Sequence, residues 1–117
     1  ASGPMLFVPG SHRWGFLDTG DFFGKDHAAQ RQQIPVPDGQ TWAEAPALLA
    51  AGGVSFHHCL TYHGSGPNVS GAARCSIAVH LRTEQVRPIA GNDNYYVSHL
   101  QDRAFSPVLF GSDADFD

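Results

Sequence analysis

Lysine occurs once in this sequence, at Lys25, and seven Lys or Arg stand against eleven Asp or Glu, for a formal charge of −4. The basic residues are scattered, so the chain offers no electrostatic footprint for a phosphate backbone, and no nucleic-acid partner is expected. Cysteine is almost as scarce. Two residues, Cys59 and Cys75, are too few for a small disulfide scaffold. Each is expected to act as a small buried hydrophobe. No apolar run approaches the ~20 residues that span a bilayer. The N-terminus has neither the basic start nor the long apolar stretch of a signal peptide. The reading is a soluble, cytoplasmic protein with no membrane partner.

What the sequence does contain favours turns and sheet. Thirteen Gly and eight Pro in 117 residues break any long helix, and seven histidines are unusual for this length. With 42% hydrophobic residues the chain suits a single globular domain, mostly β. Residues 5–8, Met-Leu-Phe-Val, lie between Gly3-Pro4 and Pro9-Gly10 and predict a strand. Residues 14–40 read as a long surface loop with one helical turn over 26–32, and such a loop is more often functional than idle. Residues 41–51 suit either a short helix or an extended approach, because Pro46 sits in their middle. Residues 54–63 and 74–82 predict the two main strands. A further extended piece is expected at 95–97, then an apolar patch at 105–110 and an acidic end at Asp113, Asp115 and Asp117.

Alternation along 54–63 places Ser55, His57, Cys59, Thr61 and His63 on one face. In the partner run Arg74, Ser76, Ala78 and His80 share a face opposite the apolar Cys75, Ile77, Val79 and Leu81. With the polar faces turned the same way, His63, Arg74 and Ser76 line one cavity. Cys59 then faces the cavity and Cys75 faces away, so a disulfide between them needs a register break. The set His57, His58, Cys59 and His63 has the composition of a zinc site. However, six residues of extended strand separate His57 from His63 by roughly 20 Å, while ligands of one zinc each lie ~2 Å from it. On that geometry one metal cannot take both, and His57 and His58 read as ordinary strand residues with hydrogen-bond partners.

The run His63-Gly64-Ser65-Gly66-Pro67-Asn68, with Arg74 eleven positions after His63, resembles the phytanoyl-CoA dioxygenase family of iron(II)- and 2-oxoglutarate-dependent oxygenases. Two earlier segments are similar to the same family in the same order: Leu6-Phe7-Val8-Pro9-Gly10-Ser11-His12 and Gly52-Gly53-Val54-Ser55-Phe56-His57-His58. The resemblance implies a jelly-roll, or double-stranded β-helix, of cupin-like kind, of which this chain supplies the later part and lacks the early strands. It implies Fe(II) and 2-oxoglutarate as cofactors and a small organic or lipid-like molecule as substrate. By position, His63 is the distal histidine ligand of the metal. Arg74 meets the far carboxylate of 2-oxoglutarate as a fork, with Ser65 and Ser76 as additional donors. Asn68 reads as a loop residue bonded to its own backbone, and His12 as a structural histidine at a strand end. Residues 14–40 and the segment after Arg87 would shape the substrate mouth.

One departure from the family is clear. Its other two ligands form a His-x-Asp or His-x-Glu pair. Two residues after the seven histidines stand Trp14, Ala29, Cys59, Leu60, Ser65, Arg82 and Gln101, so no carboxylate holds that offset. The expectation is therefore the C-terminal portion of a longer oxygenase, without catalysis by this chain alone. Half a jelly-roll exposes strand edges and an apolar inner face, which predicts either a homodimer through exposed sheet edges or a rearranged sheet. The alternatives are a noncatalytic cupin-like binding module and a halogenase of the same family.

Overall fold

The computed structural model describes residues 2–17, 24, 26–91 and 93–112. The acidic end at 113–117 and the stretch 18–23 of the long loop lie outside them. The chain divides into two units, Ala1–Cys75 and Ser76–Asp117. Among the described residues no helix is long and apolar enough to cross a membrane.

The first unit is built on a small antiparallel sheet of order β2-β1-β3. Strand β1 is Met5–Phe7, β2 is Ala45–Pro46 and β3 is His63–Ser65. Central β1 pairs Leu6 with Pro46 and Phe7 with Ala45 on one side. On the other it pairs Met5 with Ser65, Leu6 with Gly64 and Phe7 with His63. Pro46 has no N–H for a ladder, and it sits where that costs least, in an edge strand. Of the two options open for 41–51, the extended one is realised.

After β1, Gly10 turns the chain with φ 85° into a 3-10 turn at Ser11–Trp14. Val8 and Ser11, at 2% and 0% exposure, are the buried hydrophobic and buried polar residues among those described. Helix α1, His27–Gln33, begins where Asp26 accepts a hydrogen bond from the Ala29 N–H at 3.0 Å and ends before Pro35. An aromatic cluster ties the loop to the sheet: Trp42 lies 6.2 Å from Trp14 and 5.6 Å from Tyr62, ring centre to ring centre. The Arg31 guanidinium stands 5.6 Å from the Trp42 ring centre.

Three expectations are corrected. Residues 54–63 do not form a strand; only His63 belongs to one, and a turn over 58–61 precedes it, closed by the Thr61 N–H on the His58 carbonyl at 2.9 Å. The His58 ring captures the Leu60 N–H at 3.1 Å, which competes with any ladder. Residues 74–82 form no ladder either, because β3 takes β1 as its neighbour instead of the run that follows it. Both cysteines are free and exposed, not buried.

In the second unit, residues 95–97 are helical and not extended. Helix α2, Tyr95–Ser98, starts on Asn94, whose side-chain oxygen accepts from the N–H groups of Tyr96 at 3.0 Å and Val97 at 3.2 Å. Tyr95, His99 and Phe105 pack as a ring cluster, with His99 edge-on to Phe105 at 4.5 Å. Arg82 donates to the Leu100 carbonyl at 2.9 Å.

Candidate functional site

His63 opens β3 and is held from three directions. Its backbone pairs with Phe7 of β1. The residue before it, Tyr62, donates its N–H to the buried Ser11 hydroxyl at 2.9 Å and accepts from the Val8 N–H at 2.9 Å. Its ring Nδ1 lies 2.7 Å from the Thr61 carbonyl. A carbonyl can only accept, so in this contact Nδ1–H is the donor and Nε2 faces away from the bond. Metal-ligating histidines are commonly anchored in this way, through one nitrogen on a backbone carbonyl.

The loop after β3 is folded on itself by Asn68. Its amide donates to the Ala72 carbonyl at 2.7 Å, and its oxygen accepts from the Ser70 N–H at 3.0 Å and the Ser70 hydroxyl at 2.6 Å. The loop residue bonded to local backbone is thus observed. At its near end Gly3 lies so close that a Cβ would stand 2.4 Å from the Gly66 carbonyl oxygen and 2.8 Å from that of Pro67. Beside this crossing runs a groove of about 260 Å³ lined by Gly3, Pro4, Leu6, Gly66, Pro67 and Val69.

Closure of the loop returns the chain to Arg74, whose Nη2 reaches the Ser65 hydroxyl at 3.4 Å, a long contact. In a strand, residues two apart share a face, so Ser65 stands on the face of β3 that carries His63. The structure therefore brings Arg74 to Ser65, the residue that ends the strand His63 begins. Ser76 is exposed at the start of the second unit. His12 belongs to the 3-10 turn, with its ring centre 5.7 Å from that of His58.

Strand arithmetic misplaced His57. Because the 58–61 turn folds the chain back, the His57 and His63 ring centres lie 4.6 Å apart instead of roughly 20 Å. Phe7 joins them, 4.7 Å from His57 and 5.8 Å from His63. Sequence reasoning also passed over Ser11 and Gly3; the Pro-Gly-Ser turn and the Gly-Pro pair marked bends without showing what they would touch. Among the described residues no group of three His, Cys, Asp or Glu could hold a metal ion. The described residues thus offer iron one anchored imidazole, that of His63, and no complete shell.

Fold and site together define a class: a mostly non-helical chain whose small antiparallel sheet carries a histidine and, two residues on, a serine hydroxyl in contact with a guanidinium. The phytanoyl-CoA dioxygenase (PhyH) family model matches residues 1–76. The chain is 37% identical over 87 residues to the ectoine dioxygenase of Bordetella parapertussis, covering 66% of this chain and 28% of that protein. It is 34% identical over 122 aligned positions to the ectoine dioxygenase of Halomonas elongata, covering 91% and 36%. A probable alpha-ketoglutarate-dependent hypophosphite dioxygenase of Stutzerimonas stutzeri is 34% identical over 101 residues, covering 80% and 33%. No solved structure matches. The chain belongs to the phytanoyl-CoA dioxygenase family of 2-oxoglutarate-dependent dioxygenases, and it spans about a third of the length of the curated relatives it matches.

Proposed function

We propose that this chain carries the C-terminal side of an iron(II) and 2-oxoglutarate site in a hydroxylating dioxygenase. His63 supplies one metal ligand through Nε2. Arg74 and Ser65 receive the distal carboxylate of 2-oxoglutarate, the guanidinium as a charged fork and the hydroxyl as a second donor. When bound, iron with 2-oxoglutarate supplies oxidative decarboxylation coupled to hydroxylation of a substrate. The names of the relatives, ectoine and hypophosphite dioxygenases, favour a small polar substrate over a lipid. The small sheet is read as part of a double-stranded β-helix.

The observation that carries the reading is the Arg74 to Ser65 contact on the strand that opens with His63. A dicarboxylate that chelates a metal at its keto-acid end needs a cation for its far end, and the Arg74 guanidinium in contact with Ser65 supports that role. With one ligand of three in place, metal binding by this chain is expected to be weak and turnover absent.

Titration with 2-oxoglutarate, followed by calorimetry with and without Fe(II) under anaerobic conditions, tests the assignment. Arg74→Ala is expected to abolish measurable binding, and Arg74→Lys to retain a weaker fraction, since an ammonium cannot form the planar fork. Binding that survives Arg74→Ala overturns the role of Arg74. Absence of any 2-oxoglutarate or metal binding by the wild-type chain favours the noncatalytic module.

A further inference from the structure

Three rings meet at the start of β3, and the proposed metal ligand is one of them. Phe7 stands opposite His63 in the sheet register, so their side chains leave the same face as a cross-strand pair. His57 reaches the same place by another route, through the 58–61 turn. Its ring lies 4.6 Å from that of His63, with planes 59° apart, and 4.7 Å from Phe7, at 53°. His63 itself is exposed. An exposed imidazole held only by its Nδ1–H on the Thr61 carbonyl would still swing about that bond; packing on a second side removes this freedom.

We infer that His57 is a positioning residue: with Phe7 it braces the His63 ring so that Nε2 is presented in one direction to a metal. The ring contacts of His57 with His63 and Phe7 carry the brace. It rests on the reading of His63 as a metal ligand, and it extends that reading to two residues with different duties. A ligand whose ring is fixed beforehand loses less freedom on coordination. Loss of an outer-shell partner typically lowers metal affinity 10- to 100-fold. For a brace that shares its work with Phe7 and Thr61 we expect the lower end, about tenfold.

The test uses the full chain and Co(II) as a paramagnetic stand-in for Fe(II), with imidazole ¹H–¹⁵N spectra recorded before and during titration. In the metal-free spectra His63 is expected as a single Nδ1–H tautomer, with ring-to-ring proton contacts to His57 and Phe7. His57→Ala should mix the His63 tautomers and weaken Co(II) binding about tenfold, whereas His57→Phe should restore both. Wild-type tautomer and affinity in His57→Ala overturn the brace. A His57→Phe variant as impaired as His57→Ala also overturns it, by showing that a nitrogen of His57 is needed. In His63→Ala, Co(II) binding should be lost. Retention there overturns the metal-ligand reading instead, and the metal-free spectra still decide the packing of His57 on His63.

Discussion

Ser11→Ala isolates one hydrogen bond that fixes the approach to β3. Ser11 is fully buried, and its hydroxyl accepts the Tyr62 N–H at 2.9 Å. Alanine has nearly the same volume, so the change opens no cavity of consequence and removes only the acceptor. Tyr62 is part-buried at this contact, which leaves water a poor replacement. Loss of an acceptor for a buried donor costs about 1–3 kcal/mol. With a urea slope of ~1–3 kcal/mol per molar for a small protein, the unfolding midpoint should fall by roughly 1 M. Both tryptophans, Trp14 and Trp42, have ring centres within 6.1 Å and 5.6 Å of Tyr62, so their fluorescence reports on this spot. Amide hydrogen exchange gives the site-specific reading, with Tyr62 losing protection before the rest of the sheet. An unchanged midpoint together with unchanged Tyr62 protection would refute the claim that Ser11 holds β3 in place.

Two further outcomes are expected. Gly3→Ala should destabilise the first unit by more than ~1 kcal/mol, because φ is +62° and the new Cβ meets two backbone carbonyls that cannot swing aside; thermal melting checks it, and an unshifted melt would show that the 66–67 loop does not need this crossing. Sedimentation at rising concentration should show self-association of the chain. The run that carries Ile77, Val79 and Leu81, at 92%, 74% and 68% exposure, leaves apolar side chains and ladder groups without a neighbouring strand. A monomer at all concentrations would refute this.

Local signals were legible and distant pairings were not. The run at β1 is bounded by Gly-Pro and Pro-Gly, and α1 begins on an Asp cap and stops before Pro35, so each announces itself within a few residues. Ser65 and Arg74 were grouped by the resemblance and not by the residue pattern, which had set Arg74 beside His63 and Ser76; the two meet across a loop that Asn68 folds by bonds spanning at most four residues. The hairpin failed because adjacency in sequence suggested 74–82 as the partner of β3, whereas β1 holds that place. Asn94 was read past as part of a tail, although Asn is a strong cap and here starts α2. His57 was misplaced because no Gly or Pro marks the 58–61 turn; the imidazole of His58 does the work those residues usually do.

The partnership of β1 with β3 also has a kinetic side. Ser11 and Tyr62 are 51 positions apart along the chain, so the strand that presents His63 forms only after a large loop has closed. Closing such a loop is entropically unfavourable before any long-range contact compensates it, and folds dominated by nonlocal pairings form slowly. Until that closure, the turn at 58–61 and the Asn68 loop can exist as local pieces while the imidazole between them has no β1 to lean on. Maturation of the site is therefore set by the rate of sheet closure, and changes to Val8 or Ser11, remote in sequence from His63, should delay its appearance more than changes within the loop that follows it.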